Sequence, residues 1–242
     1  MTHLSLDQCS PLAGALLAGI LLILGVWRLG PPAGLGRLPG WLKEWFLWWT
    51  SPFVWLLSRW RSAPTALNVA GLLFSLAAGV LYAFGHAPWA GWTFLLAGLC
   101  DTLDGRVARA QDGAHRQGAF VDSVLDRYSE IAIFTGLGWW LRQGPGLWLC
   151  WVALFSSLMV SYSRARAEGL GLQLKEGLMQ RPQRIVLLTV ASIFCPIGLL
   201  VGSRPETLIL VALGIAACLT AFTALQRFWV ALRGLREGSS SS

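Results

Sequence analysis

The sequence predicts an all-α membrane protein, and three observations support that fold class. Of its 242 residues, 55% are hydrophobic and only 13% are charged, whereas an ordinary soluble domain has about 25% charged residues. Long apolar segments recur along the chain, and the mean hydropathy is positive. The Lys and Arg residues lie at the ends of these segments, which is typical of membrane topology rather than of a nucleic-acid-binding surface. We therefore predict a polytopic membrane protein without a nucleic acid partner.

Seven apolar segments approach the length of a membrane-spanning helix, about 20 residues. They cover residues 11–27, 67–85, 88–108, 118–141, 145–166, 183–202 and 206–231. The last six follow one another closely and predict a six-transmembrane-helix bundle over residues 63–236. The first precedes a Gly- and Pro-rich linker, so residues 1–40 are predicted to form one additional N-terminal apolar segment, and whether it spans is left open. Residues 237–242 are expected to be a disordered tail.

A Trp-rich stretch, residues 41–62, lies between that linker and the six-helix domain. Indole rings favour the headgroup region of a bilayer, and Arg59 and Arg61 close the stretch. We therefore predict an interfacial amphipathic helix that precedes the bundle. A full span is the alternative, although Lys43 and Glu44 interrupt the apolar pattern.

The basic residues predict the orientation in the membrane. If the spans alternate, sixteen Lys and Arg residues lie at one face, Arg127 lies a little inside it, and only Arg142 and Arg204 lie at the other face. The positive-inside rule makes the crowded face cytoplasmic. We predict a protein of the plasma or inner membrane whose connection at residues 110–117 faces the cytoplasm.

Four carboxylates lie at this cytoplasmic boundary, in the stretch CDTLDGRVARAQDGAHRQGAFVDSVLDR, residues 100–127. Asp101 and Asp104 are spaced to share one helical face, and so are Asp122 and Asp126 on the next predicted helix. The short connection makes the two helices antiparallel neighbours. We therefore expect all four carboxylates to converge on one site.

Converging carboxylates repel one another unless a cation neutralises them. Ligation by oxygen alone suits Mg²⁺, Mn²⁺ or Ca²⁺, and the absence of nearby Cys and His pairs argues against Zn²⁺. His115 is the only imidazole near the carboxylates in sequence, and its polar loop context argues against a role as a ligand. The pattern predicts a divalent metal site.

Small residues and one arginine accompany the acids. Gly105, Ala108 and Gly118 allow a backbone or a flat ligand to approach closely, and Arg109 can place a guanidinium beside a phosphate. Together with metals, they suggest a diphosphate ligand. A cation-coupled transporter or a bundle joined by Asp–Arg pairs would also contain intramembrane acids. The paired spacing, with glycines between the pairs and an arginine alongside, favours an enzyme over these alternatives.

The residues from Asp101 to Asp126 read D-x-x-D-G-x-x-A-R-x8-G-x3-D-x3-D. This frame resembles the signature of the CDP-alcohol phosphatidyltransferase family, and the likeness extends more loosely from Pro64 to Arg236. The resemblance implies a six-helix membrane bundle, a homodimer and two divalent cations, Mg²⁺ or Mn²⁺. It also implies that an acceptor hydroxyl attacks the β-phosphorus of a CDP-linked alcohol, usually CDP-diacylglycerol, and releases CMP.

The resemblance also implies roles for individual positions. It implies that Asp101, Asp104 and Asp122 bind the metal ions. It also implies that Asp126 completes the metal centre or acts as the base that takes the proton of the acceptor hydroxyl. The CDP moiety is held by four further residues, Gly105, Ala108, Arg109 and Gly118.

The acceptor depends on a second basic stretch, residues 161–184, which contains Arg164, Arg166, Lys175, Arg181 and Arg184. These arginines suit a phosphorylated, water-soluble acceptor, although positive-inside topology alone accounts for some of them. SYSRARAEGLGL, QRPQR and GAFVDSVLDR are similar to segments of the phosphatidylinositol-phosphate synthase branch, which implies inositol phosphate as acceptor. Glycerol 3-phosphate is the next candidate, and a lipid such as diacylglycerol or an unphosphorylated acceptor such as serine ranks below both.

Overall fold

The computed structural model describes residues 38–111, 116–172, 179–200 and 204–239. These residues form seven helices of 13 to 34 residues and one four-residue helix, without a strand. In chain order they are α1 (Leu38–Leu57), α2 (Ala63–Ala83), α3 (Ala87–Ala110), α4 (Arg116–Trp140), α5 (Gly146–Gly169), α6 (Arg181–Ile193), α7 (Ile197–Leu200) and α8 (Glu206–Ser239). The predicted segment 11–27, His115 and Lys175 lie outside the described residues.

The all-helical class is confirmed over the described residues, and each of the last six apolar segments contains a helix. Within the part of the chain that the structure describes, three helices are long and apolar enough to cross a bilayer: Ala63–Ala83, Gly146–Gly169 and Glu206–Arg236. Helices α3 and α4 also have the necessary length, but they contain the charged residues of the site. Helix α6 has only 13 residues. These three candidate spans agree with the predicted membrane protein, and the count of six spans stays a prediction.

The apolar segment 183–202 does not form one helix. Helix α6 ends at Ile193, and a turn leads into the short helix α7 at Ile197. Pro196 explains the break, because it has no N–H to donate to the preceding turn and its ring crowds the carbonyl of Ser192. Two predicted boundaries also differ: α1 begins at Leu38, three residues before the predicted start, and α8 continues to Ser239, into the predicted tail.

The bundle is organised in two groups of helices that share a core. Helix α2 packs against α3 and α4, α5 packs against α8, and α6 joins the groups by contacting α3 and α8. Tyr82, Leu137, Leu188 and Leu213 are fully or almost fully buried where these helices meet. This packing brings together, at one end of the bundle, the C-terminal end of α3 and the N-terminal parts of α4 and α6, which contain the charged residues.

Helix α1 covers the C-terminal end of α3. Its inner face buries Thr50 and Val54, and Val54 packs with Leu103 and Val107 of α3. The side-chain amide of Gln111 donates to two carbonyls that follow α1, at 3.1 and 2.7 Å. The opposite side exposes large apolar side chains, namely Trp48, Trp49, Phe53, Trp55, Leu56 and, just beyond the helix, Trp60. The Trp-rich stretch therefore forms a helix with one face packed on the bundle, and its position in the membrane interface stays a prediction.

Candidate metal and phosphate site

Three of the four predicted carboxylates meet at one point. Helix α3 provides Asp101, and the first turns of α4 provide Asp122 and Asp126. One carboxylate oxygen from each lies within 4.8 Å of the others. Residues four apart on a helix point the same way, and the antiparallel neighbour supplies the third group. The convergence expected from the spacing is therefore present for Asp101, Asp122 and Asp126.

Asp104 lies beside this group rather than in it. It is 4% exposed, and its carboxylate accepts a hydrogen bond from the backbone N–H of Gly105. Its second contact is with Asn68 on α2. In the amide orientation that satisfies both ends of its side chain, Asn68 donates to the carboxylate of Asp104 and, at 3.1 Å, to that of Asp122. Asn68 therefore links the carboxylate of Asp104 to that of Asp122.

Arg181 reaches the carboxylates from α6. Its Nη1 donates to Asp101 Oδ1 at 2.5 Å and also pairs with Asp126 Oδ1. The guanidinium therefore contacts one acid on each of the two antiparallel helices and offsets part of their mutual repulsion. Arg127 adds a longer contact, 3.5 Å from its Nη2 to Asp126 Oδ2.

The donor set fits a divalent cation that prefers oxygen ligands. The three grouped carboxylates are only half-buried, so a cation and water can reach them. Mg²⁺ and Mn²⁺ are bound in proteins by such carboxylate sets, with water or substrate phosphate completing the shell. No Cys or His belongs to this group among the described residues. The geometry thus agrees with the metal type that the sequence predicts.

The small residues predicted to hold the CDP moiety leave space. A Cβ added to Gly118 would meet no heavy atom of the described residues within 4 Å. At Gly105, a Cβ would lie 3.4 Å from Nη1 of Arg109, so that guanidinium folds back over the glycine. Arg109 is exposed and Ala108 is half-buried, both in the last turn of α3. The end of α3 and the start of α4 therefore present an open surface next to the carboxylates.

The four arginines predicted to bind an acceptor phosphate separate into two pairs. Arg181 and Arg184 point into the bundle from α6, and Arg184 is only 4% exposed. Arg164 is exposed and pairs with Glu168 at 2.8 Å along α5, and Arg166 is also exposed. Of the four, only Arg181 contacts the aspartate carboxylates, and Arg184 contacts the buried carboxylate of Glu130.

A buried ion pair below the carboxylates was missed by the sequence analysis. Glu130, 8% exposed, accepts from Arg184 Nη2 at 2.5 Å and from the Ser157 hydroxyl at 2.6 Å. Its spacing contained a usable signal, because Glu130 continues the series of Asp122 and Asp126 by one further helical turn. Ser157, in the middle of the apolar helix α5, carried no comparable signal.

Two small clefts adjoin the site and share a wall. One is lined by Asp101, Asp122 and Asp126 and by Asn68. The other lies deeper and is lined by Glu130, Arg184 and apolar side chains of α3, α4 and α6. Arg181 and Ser129 line both. A ligand with a reacting end at the carboxylates and an anionic group near Arg181 and Arg184 would match this arrangement.

Two relatives of similar sequence are named phosphatidylinositol phosphate synthases. The phosphatidylinositol phosphate synthase of Mycobacteroides abscessus is 36% identical over 157 residues, which cover 63% of this chain and 71% of the relative. The Streptomyces avermitilis enzyme of the same name is 31% identical over 218 residues, covering 88% and 89%.

Solved structures of the Mycobacterium tuberculosis phosphatidylinositol phosphate synthase, 28% identical, share the fold. The crystal structure with CDP-DAG bound has a TM-score of 0.66 and covers 75% of this chain and 92% of that chain. The structure in complex with manganese and citrate has a TM-score of 0.67 and covers 76% and 88%.

A family model described as CDP-alcohol phosphatidyltransferase matches residues 61–223. This range covers more than half of the chain and contains the complete aspartate signature. It resolves the choice between an enzyme and a cation-coupled transporter in favour of the enzyme. The protein belongs to the CDP-alcohol phosphatidyltransferase family and is a phosphotransferase.

Proposed function

We propose that this protein transfers a phosphatidyl group from CDP-diacylglycerol to a hydroxyl of inositol phosphate and releases CMP. The observation that carries the proposal is the position of Arg181, which contacts Asp101 and Asp126 and also lines the deeper cleft beside Arg184. A carboxylate centre for phosphoryl transfer thereby adjoins a cationic pocket for an acceptor phosphate. The names of the relatives, including those from Mycobacteroides abscessus and Streptomyces avermitilis, agree with this acceptor.

The proposed reaction is one displacement at phosphorus. The acceptor hydroxyl oxygen forms a bond to the β-phosphorus of CDP-diacylglycerol, the bond from that phosphorus to the CMP oxygen breaks, and the hydroxyl proton passes to Asp126. CMP leaves as a phosphate monoester, so no covalent enzyme intermediate is needed. Divalent cations held by Asp101, Asp104 and Asp122, with Asp126, would stabilise the negative charge on the diphosphate and on departing CMP. Asn68 keeps Asp104 and Asp122 oriented towards each other.

The open surface at the end of α3 suits the CDP moiety. Gly105, Ala108 and Gly118 let the ligand lie close to the backbone, and Arg109 offers a guanidinium to the diphosphate. Helix α1 packs on the far side of the same turn of α3 and keeps it in place. Its exposed aromatic face would lie in the membrane interface, where the lipid chains of CDP-diacylglycerol enter.

Gly118 provides a test of the CDP site. Gly118→Ala adds one methyl group where the folded protein has space, so we expect unchanged thermal stability. If the diphosphate approaches this backbone, the methyl group obstructs it, and KM for CDP-diacylglycerol should rise about tenfold, equivalent to about 1.4 kcal/mol. Initial rates at varied CDP-diacylglycerol measure the effect. Gly169→Ala, at an equally open position on α5, is the matched control and should leave KM unchanged.

The acceptor end of the site consists of arginines from three helices. Arg181 and Arg184 belong to α6, and Arg164 lies towards the C-terminal end of α5. Arg227 of α8 is 6% exposed and donates to the carbonyl of Val160 at 2.9 Å. Its positive charge is repelled by those of Arg164 and Arg184. A phosphate would relieve the repulsion among these cations, whereas an uncharged acceptor would not. Arg166 is fully on the surface and is assigned to contact with anionic lipid headgroups or to the pocket rim.

The number of membrane spans and their orientation are part of the same proposal. Six spans, over the domain 63–236, would place the carboxylates and arginines at the cytoplasmic face of the plasma or inner membrane, where water-soluble inositol phosphate is available. The homodimer implied by the family stays a prediction. It is tested by the mass of the purified protein in detergent.

An acceptor panel tests the proposed function. The purified protein is reconstituted with CDP-diacylglycerol and offered inositol phosphate, glycerol 3-phosphate, inositol, serine or diacylglycerol in parallel, and CMP release and the lipid product are measured. We expect turnover with inositol phosphate to exceed that with inositol by at least about a hundredfold, because an acceptor without phosphate would leave the buried Nη1 of Arg184 without a hydrogen-bond acceptor. Preferred turnover with glycerol 3-phosphate would reassign the acceptor. Turnover with serine or diacylglycerol alone would contradict the cationic pocket.

A further inference from the structure

Glu130 is a buried acid that the reaction itself does not use. It lies on α4, one turn beyond Asp126 and outside the aspartate signature. Its carboxylate contacts Arg184 Nη2 at 2.5 Å, the Ser157 hydroxyl at 2.6 Å and Arg127 Nη1 at 3.8 Å. Glu is rarely buried to this extent unless its charge is paired and its oxygens are hydrogen-bonded. Arg184 and Ser157 meet both requirements.

The contacts of Glu130 fix one edge of the Arg184 guanidinium. Nη2 of Arg184 donates to Glu130 and, at 2.6 Å, to the Ser157 oxygen. Ser157 in turn donates to Glu130, so the three side chains close a ring of hydrogen bonds. A guanidinium held at one edge in this way cannot turn its other nitrogens freely, because the group is planar.

The other edge of Arg184 lacks an acceptor. Nη1 is buried and has no hydrogen-bond partner among the described residues, and Arg184 lines the deeper cleft. A buried N–H without an acceptor costs free energy, and a ligand oxygen in the cleft would remove that cost. Phosphate oxygens form strong hydrogen bonds with guanidinium groups. Arg184 is therefore arranged to receive an anion with one edge while Glu130 holds the opposite edge.

We infer that Glu130 is a positioning residue for the acceptor: braced by Ser157, it orients Arg184 towards the cleft and thereby sets the affinity for the acceptor phosphate. The inference rests on the proposed function. It also predicts which kinetic constant changes. Glu130 contacts Arg184 closely, whereas its links to Asp126 are longer: two Arg127 contacts, of 3.8 and 3.5 Å, and an electrostatic interaction with Arg181. The acceptor KM should therefore respond more than kcat.

The test uses Glu130→Gln, which keeps the shape and the hydrogen-bonding oxygen but removes the charge opposite Arg184. In the full-length protein we expect KM for inositol phosphate to rise at least tenfold, with kcat and KM for CDP-diacylglycerol changing by less than about threefold. Glu130→Asp restores the charge and should recover part of the affinity. Ser157→Ala removes only the hydrogen bonds that the Ser157 hydroxyl forms with Glu130 and Arg184, and it should raise the acceptor KM by about threefold.

A matched control separates positioning from general destabilisation. Tyr82→Phe removes another buried hydrogen bond, 2.6 Å from the Tyr82 hydroxyl to Ser192, far from the site. It should lower thermal stability without changing the acceptor KM. If Glu130→Gln behaves like Tyr82→Phe, Glu130 only joins α4 to α6 and the inference is overturned. A fall in KM would also overturn it, since Glu130 would then compete with the phosphate for Arg184.

The same measurements distinguish failure of the inference from failure of the proposed function. The wild-type protein in the acceptor panel decides the proposed function before any variant is made. The variants are then compared with the acceptor that the wild-type protein uses. An unchanged KM for that acceptor in both Glu130→Gln and Ser157→Ala overturns the inference, whichever acceptor it is. If Glu130→Gln does not fold, Ser157→Ala and Glu130→Asp give the result.

Discussion

Asp126→Asn is expected to reduce CMP release from CDP-diacylglycerol by about a thousandfold or more, within the range found for loss of a general base. The substitution keeps the size of the side chain and removes the group proposed to accept the hydroxyl proton. It also removes one of the three carboxylates that lie within 4.8 Å of one another. Both effects act on the chemical step, so kcat should fall far more than either KM changes.

The folded state should tolerate Asp126→Asn. The variant loses the ion pair with Arg181, but it also removes one of several like charges that repel one another. We therefore expect a thermal midpoint close to that of the wild-type protein, measured in the same detergent. Glu206→Gln, in the first turn of α8 and away from the site, is the control and should keep full activity. If Asp126→Asn keeps activity within tenfold of the wild-type protein, Asp126 is not the general base of the reaction.

The carboxylate centre could be predicted from sequence because local geometry determines it. Spacings of three and four residues place Asp101 with Asp104, and Asp122 with Asp126, on single helical faces. The short connection between α3 and α4 then brings the two faces together. Three of the four acids converge as this argument requires. Asp104 lies to one side because Asn68 and the backbone N–H of Gly105 engage its carboxylate, and contacts with another helix do not follow from spacing along α3.

Partners from distant helices could not be predicted in the same way. Arg181 and Arg184 were singled out for their charge, but their separate partners depend on how α6 packs against α3, α4 and α5. Arg181 reaches Asp101 and Asp126, whereas Arg184, one turn further along α6, reaches Glu130 and Ser157. No periodicity within a single segment contains that information. The break after α6, in contrast, follows from Pro196 and a known property of proline.

Removal of divalent cations is expected to abolish turnover completely. A chelator should reduce CMP release to background, and added Mg²⁺ or Mn²⁺ should restore it, because the grouped carboxylates form an oxygen-only site. Asp101→Asn takes one ligand from that site while leaving the proposed base, Asp126, in place. We therefore expect this variant to need at least about a tenfold higher Mg²⁺ concentration for half-maximal activity.

Thermal stability gives a second readout that does not depend on catalysis. A cation that binds only the folded protein stabilises it by about 2.7 kcal/mol at roughly a hundredfold excess over its Kd. Mn²⁺ should therefore raise the unfolding midpoint of the wild-type protein and of Glu206→Gln by the same amount, and that of Asp101→Asn by less at the same concentration. An equal rise in all three proteins would place the bound cation elsewhere. Full activity in the presence of chelator would show that Arg181, which already pairs with Asp101 and Asp126, provides the positive charge in this centre.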